Sequence, residues 1–313
     1  MTDTGPLFVS SGDLIADRRY QWALDQAARG DFAAAADILA QTVERAPRFA
    51  AGWFALGDIR GRLGDTDGAV EAFSRARDAD PEDYHGARLQ LARLGIADGN
   101  PAMSEAYVRR LFDQYAGRYD EALTDKLHYR GPALLRAAVE AVAHAAGRPL
   151  RFGAALDLGC GTGLGGAAFR PLVDQLTGVD LSPAMIAKAE AKGLYDRLVC
   201  ADVAKFLADE ASAATRYQLV LAADVFVYVS ELARILAAVA RVLAPDGLFA
   251  FTVETHPGDG TKLLPTLRYA HGEGLMRTAL GSAGLAVAQL NAEPVRSEKG
   301  VPVNSLVVVA SPW

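Results

Sequence analysis

Two hydrophobic periods divide the chain. Up to about residue 147 the apolar positions recur every three or four residues, the spacing of amphipathic helices. From Ala154 onward short apolar runs, at 154–158, 175–179, 198–200, 218–222, 248–253, 285–290 and 305–309, are separated by helical stretches such as 183–192 and 231–243. This alternation predicts an α/β domain with a mostly parallel sheet and helices on both faces. Its ligand site is expected outside the carboxyl ends of the strands.

The helical part contains a repeat. Gly30-Asp31-Phe32, ending at Pro47, returns 34 residues later as Gly64-Asp65-Thr66, ending at Pro81. The second copy carries Trp53, Leu56, Gly57, Ala69, Phe73, Ala76 and Pro81. Small Gly57 and Ala69 let two antiparallel helices approach closely, the large residues fill the seam, and the proline starts the next unit. The first copy is sparser, with Trp22, Ala23, Ala35 and Leu39; a third opens between Tyr84 and Leu94 and stops at Gly95 and Asp98-Gly99-Asn100-Pro101. This segment resembles the tetratricopeptide repeat. Units of that kind bury their faces only against neighbours, so two and a half of them need a cap from the following segment, the C-terminal domain or a second subunit. The resemblance implies a face for a protein partner, or a scaffold for self-association.

A connector follows. Val108, Leu111, Phe112, Tyr115, Tyr119, Leu123 and Leu127 write an amphipathic stripe with a bend near Gly117. A second helix begins at Pro132, presents Leu134, Leu135, Ala138 and Val142, and ends at Gly147 and Pro149. The expected domains are 1–100, helical repeats; 101–150, a helical connector; and 151–313, the α/β domain.

The chemistry-bearing residues stand at the strand ends. The first predicted strand runs into Asp157-Leu158-Gly159-Cys160-Gly161-Thr162-Gly163, where three glycines permit a tight turn and let a ligand lie against backbone N–H groups. Gly161, Gly163 and Gly166 also satisfy the dinucleotide pattern, but Asp157 stands where a dinucleotide places its pyrophosphate. A carboxylate there suits a cation, such as the ammonium and sulfonium end of S-adenosylmethionine. Asp180 closes the second strand, placed to accept two ribose hydroxyls; Asp202 closes the third, placed for an adenine amine; Asp224 closes the fourth, toward the methyl-transfer end. One such acid is commonly a helix cap, whereas four in series point to a ligand.

With these residues the chain resembles a class I S-adenosylmethionine-dependent methyltransferase, over roughly 154–313, through LDLGCGTG, TGVDLSPAMIAKA, ADV and VLAADVFVYV. The resemblance implies a Rossmann-like, seven-stranded sheet whose last strand, 304–309, is antiparallel. It also implies cofactor contacts from Asp157, Gly159, Cys160, Gly161, Gly163, Asp180, Leu181, Met185, Asp202, Val203 and Ala223, with S-adenosylhomocysteine as product. The whole order, repeats, then LFDQYAGRYDEALTDKLHYRGP, then this domain, is similar to bacterial methyltransferases with tetratricopeptide repeats. In them the connector looks like a lid over the active site. That makes Tyr115, Tyr119, Tyr129 and Arg130, with His128 beside them, expected lid or substrate contacts, together with Asp224, Phe226 and Tyr228. Arg268-Tyr269-Ala270-His271 resembles the family's segment before the last helix, with Gly272 where a serine is expected.

Methyl transfer from a sulfonium needs position and a dry site more than an acid. A base helps only a protonated acceptor, and His256 and His271 fall on the ligand-bearing side. Composition narrows the acceptor. The net charge is −6, the 32 cationic residues are interleaved with 38 acids, and the fourth strand is followed by Asp224-Val225-Phe226-Val227 rather than the Pro-Pro-aromatic run of base amino-methyltransferases. Nucleic acid is therefore set aside. Only Cys160 and Cys200 occur, with no Cys/His cluster, so neither a disulfide framework nor a metal site is expected. Acids at the N-terminus and the lack of an ~18-residue apolar run point to a cytoplasmic protein with no membrane partner. The leading expectation is methyl transfer to a small or medium metabolite, the lid closing over it. The alternatives are a protein methyltransferase whose repeats recruit the polypeptide, and a non-catalytic adaptor on the same fold.

Overall fold

The computed structural model describes residues 9–96, 103–117, 119–121 and 128–313. The chain forms two compact units, Met1–Tyr107 and Val108–Trp313.

In the first unit α1 (Leu14–Ala28), α2 (Phe32–Arg45), α3 (Ala50–Arg62) and α4 (Thr66–Ala79) make two antiparallel pairs, followed by α5 (Ala87–Arg93). The repeated Gly-Asp explains both joints. Gly30 and Gly64 sit at φ +86° and +83°, which a glycine adopts without strain, and the aspartate after each caps the next helix. Asp31 accepts from Ala34 N–H at 3.0 Å and Asp65 from Gly68 N–H at 2.9 Å. The seam between helices holds Ala23, Ala35, Leu39, Leu56, Ile59 and Ala72, all buried. Of the expected end of the third copy, Gly95 turns at φ +78°, while 98–101 lie outside the described residues.

Gly57 shows why the motif wants a glycine inside α3. A Cβ there would sit 2.8 Å from the Phe73 ring of α4. Helix propensity alone predicts that Gly57→Ala stabilises by up to ~1 kcal/mol. Overpacking against Phe73 is expected to reverse the sign, to a loss of about 1–3 kcal/mol in urea unfolding followed by circular dichroism.

The second unit takes in α6 (Glu105–Tyr115) from Val108 on, the single turn α7 (Tyr119–Glu121) and α8 (Gly131–Ala145). Of the predicted stripe, Leu123 and Leu127 lie outside the described residues. The sheet then runs β1 (Phe152–Leu158), β2 (Val173–Asp180), β3 (Arg197–Cys200), β4 (Tyr217–Ala222), β5 (Leu243–Glu254), β8 (Leu285–Ala292) and β11 (Ser305–Pro312). Their spatial order is β3-β2-β1-β4-β5-β11-β8. The first five are parallel, and β11 lies antiparallel between β5 and β8.

The sheet is larger than the expected seven strands. Short β6 (Thr261–Leu263) and β7 (Tyr269–His271) add to the end of β5, making nine, and β9 (Ser297–Glu298) with β10 (Val301–Pro302) forms a separate hairpin. Runs of two or three residues carry no readable period, so pattern alone missed them. Alternate residues of one strand serve two cores. Val220, Phe249, Phe251 and Val308 pack with Leu236 and Val239 of α12 (Leu232–Val242) and Met276 of α13 (Glu273–Ser282). Leu219, Leu221, Val307 and Val309 pack with Leu135 and Val139 of α8. Because the parallel strands are in register, with Leu158 beside Val179 and Asp180 beside Cys200, their carboxyl ends form one ledge.

Candidate functional site

The glycine loop after β1 leads into α9 (Leu164–Phe169). Gly159, Gly161 and Gly163 all have positive φ, +61°, +53° and +94°, so the backbone folds as a side-chain-bearing chain would resist. A Cβ on Gly159 would strike Val225, 2.6 Å away. Behind the loop, Asp157 is buried beside Gly165, where a Cβ would lie 2.7 Å from Oδ2 of Asp157. The Tyr195 hydroxyl donates to that oxygen at 2.7 Å and itself accepts from Gly166 N–H at 3.1 Å. Burial pushes the Asp157 carboxyl up to about 7, against the pull of the Tyr195 hydrogen bond, and nearby Asp180 pushes in the same direction.

Asp180 ties the loop to the next strand end. Its Oδ2 accepts from Gly161 N–H and its Oδ1 from Ser182 N–H, both at 2.9 Å. Burial raises its carboxyl despite these donors. Ser182 caps α10 (Pro183–Ala191) through Met185 N–H, and its own hydroxyl donates to Asp113 of α6 at 2.5 Å. Met185 is fully buried, Leu181 is half-buried, and the Leu181 carbonyl faces the Cys200 sulfur at 3.7 Å. Asp202 is half-buried and caps α11 (Val203–Ser212), accepting from Lys205 N–H at 2.9 Å. Val203 is the first residue of that helix.

A narrow cleft, partly open to solvent, lies over the loop. Asp157, Gly159, Cys160, Gly161 and Ala223 line it together with Tyr119 and Tyr129. Burial pushes both phenols far up, so they stay protonated, and it pushes the Cys160 thiol up as well. Tyr119 is held from two sides. Phe112 packs edge-on to it and to Tyr228, at 6.1 and 5.2 Å between ring centres, and Asp120 accepts from the Thr162 hydroxyl and from Lys192 Nζ, the latter at 2.7 Å.

Several expected site residues lie elsewhere. Tyr115 is 49% exposed, because the stripe of α6 turns it to solvent while Phe112 faces inward. Arg130 is exposed, and its backbone N–H binds the Val295 carbonyl; His128 is exposed at φ +47°. Phe226 is a core residue, packed edge-on to Phe249 and Phe251. His271 is fully buried in β7 with both ring nitrogens engaged, at Thr261 Oγ1 and the Phe226 carbonyl, which fits a structural role better than a base; burial lowers its pKa. His256 closes its own loop, Nδ1 accepting from Gly258 N–H and Nε2 against the Gly260 carbonyl. At Gly272 a side chain would run into the Gly258 carbonyl, so a glycine stands where a serine was expected, and α13 begins without a side-chain cap.

Asp224, at φ +61°, faces a group that pattern reading did not find. Arg296 is fully buried between the carboxylates of Asp224 and Glu254, with Glu298 3.4 Å away. Arg268 reaches Glu298 and lies 3.6 Å from Glu254. Burial disfavours the Arg296 charge, and the Asp224 and Glu254 carboxylates outweigh that. Tyr195, Thr162 and Lys192 were missed likewise.

Residues 156–251 match the methyltransferase domain family and residues 20–84 match the tetratricopeptide repeat. The chain thus joins a helical repeat region to a Rossmann-like methyltransferase domain. It is 40% identical over 104 residues to human methyltransferase-like protein 27, a stretch covering 33% of this chain and 40% of that protein. Its fold is similar to that of magnesium protoporphyrin IX methyltransferase from Synechocystis PCC 6803. The crystal structure with SAH bound has a TM-score of 0.51 at 17% identity, covering 67% of this chain and 99% of that one. The structure with SAM bound has a TM-score of 0.50 at 18% identity, covering 68% and 100%. Among the described residues no helix is long and apolar enough to cross a membrane.

Proposed function

We propose that this protein binds S-adenosylmethionine at the ledge formed by the loop after β1, and catalyses methyl transfer to a small or medium metabolite, releasing S-adenosylhomocysteine. The observation that carries the reading is Asp157, a buried carboxylate at the floor of an aromatic-walled cleft. Burial leaves it short of positive charge, and a bound cation would supply that charge.

The remaining residues fit the same ligand. The left-handed glycines leave backbone open where side chains would block it. A carboxylate offers about four acceptor positions, so Asp180, with two used by Gly161 and Ser182, keeps room for two ribose hydroxyls. Asp202 spends one oxygen on its helix and keeps the other for an adenine amine. Bound S-adenosylmethionine supplies an already activated methyl group. The chain's own task is then to hold the acceptor in line and keep water out, which Tyr119 and Tyr129 serve as protonated, apolar-faced walls, with Tyr228 packed behind them on Phe112. With His271 engaged by Thr261 and Phe226, no base is assigned. Both cysteines are unpaired, in keeping with a cytoplasmic setting.

Calorimetric titration tests the site. Wild type is expected to bind S-adenosylmethionine and S-adenosylhomocysteine at micromolar concentration, and Asp180→Ala to weaken both by about 1–3 kcal/mol, as for lost charged hydrogen bonds. No binding by wild type would leave an adaptor on the same fold. The tetratricopeptide match supports a second reading, in which the repeats recruit a polypeptide acceptor. That reading fails if altering the exposed residues of the repeat helices leaves activity on every acceptor unchanged.

A further inference from the structure

The repeat places a second copy of one helix face in view, and the two copies are treated differently. Ile15, Arg18, Trp22 and Asp25 of α1 correspond, 34 residues on, to Phe49, Gly52, Leu56 and Ile59 at the start and along α3. In α3 this face is buried under α2. Leu56 and Ile59 pack with Ile38, Leu39 and Val43, and a Cβ on Gly52 would lie 3.1 Å from Val43 Cγ1. Among the described residues no helix precedes α1, and the same face there is open. Leu14 is 76% exposed, Ile15 49% and Trp22 56%, with Arg18 exposed between them and Asp25 and Arg29 exposed beyond Trp22. A tryptophan and two aliphatic residues at helical spacing are an unusual solvent face.

The charges say what covers it. Where α3 presents Gly52 and Ile59 to α2, α1 presents Arg18 and Asp25, seven residues apart on one stripe. A face made to receive an apolar helix from its own array would carry neither. Turned about a two-fold axis passing between positions 21 and 22, the stripe meets itself antiparallel. Arg18 then faces Asp25 of the other copy, twice. Trp22 crosses its equivalent at the centre, and Leu14 lies along the aliphatic stem of Arg29.

We propose that α1 is a self-docking surface, and that two copies of this chain pair through it in an antiparallel, two-fold arrangement set by Arg18 and Asp25. The helix has 15 residues, about 22 Å, so the interface belongs to the small class and the dimer is expected to form at roughly 10 µM rather than at nanomolar concentration.

Sedimentation equilibrium of the full chain over roughly 1–200 µM tests this. The weight-average mass is expected to rise from the monomer's 33.1 kDa toward twice that value. Trp22→Glu, Arg18→Asp and Asp25→Arg should each weaken association at least ~10-fold, with circular dichroism unchanged, since all three positions are exposed. Arg18→Asp mixed in equal amount with Asp25→Arg should associate again, because each charge then meets its opposite. The reversed pair within one chain should also recover. A wild type that stays monomeric at the highest concentration overturns the proposal. So does a dimer indifferent to these substitutions, or charge variants that fail to rescue each other. The readout is mass, so its outcome is separate from whether the other unit transfers methyl groups.

Discussion

Arg296→Ala is expected to cost about 3–5 kcal/mol of folding stability, enough to unfold many domains of this size. The guanidinium is buried, and its removal takes away the counter-charge shared by the Asp224 and Glu254 carboxylates at the ends of β4 and β5. Arg268, 3.6 Å from Glu254 and shared with Glu298, offsets only part of that loss. Charge, not shape, is the cause. The triple variant Arg296→Met, Asp224→Asn, Glu254→Gln should therefore regain most of the loss, as buried ion groups replaced together often do. Urea unfolding of the three proteins reads this directly. A single alanine variant within ~1 kcal/mol of wild type would show that the cluster is solvated and its charges independent.

The second large effect falls on Asp157, and it has opposite signs with and without ligand. Its folded-state carboxyl titrates near 7, above the usual carboxylate value, because burial penalises the charge. In the ligand-free protein the folded chain therefore holds a proton that the unfolded chain has already released. Stability from this group is present below about pH 4 and falls as pH rises to about 7. Asp157→Asn removes that penalty. It should stabilise the ligand-free protein above pH 7 by roughly 1–3 kcal/mol, with little change near pH 4.

Cation binding runs the other way. It requires the carboxylate, so S-adenosylmethionine affinity of wild type should fall about tenfold for each pH unit below 7. Asp157→Asn should flatten that dependence and bind roughly 30-fold more weakly at pH 7.5, a loss of about 2 kcal/mol. Calorimetry between pH 5.5 and 7.5, beside thermal unfolding of the same samples, gives both readings. A wild-type affinity that is flat with pH would place the cation elsewhere in the cleft. The environment is set by Tyr195, Gly166 and Asp180, so Tyr195→Phe serves as the neighbouring control.

What the sequence could tell follows the range over which each signal acts. The strands of the parallel sheet were readable because a fully buried strand is a local apolar run, and the glycines because a left-handed turn is a property of one residue. The four acids were readable as strand-end residues, but not their duties. Asp202 is a helix cap and Asp180 a clasp between two loops, uses that depend on neighbours in space. Tyr195 meets Asp157 across 38 residues, and Arg296 meets Asp224 across 72; nothing local marks either. The family resemblance of the connector pairs Tyr115 with Tyr119 as lid contacts, yet α6 ends between them and Tyr115 faces solvent. The Arg18–Asp25 stripe was legible only by subtraction, once the repeat showed what its counterpart buries.

The position of β11 sets an order on assembly during synthesis. It is β11, formed by Ser305–Pro312, that separates β5 from β8, and β8 has its sheet partner in β11 alone among the described strands. A growing chain that has emerged only as far as residue 304 holds β1 to β5 in place but must carry β8 unpaired, its apolar residues exposed. A nick in the β9–β10 hairpin that frees β11 would open the edge of β5 that β11 covers and leave β8 without a partner among the described strands. Open edges of that kind template pairing with other chains, so loss of β11 is expected to turn the protein toward aggregation.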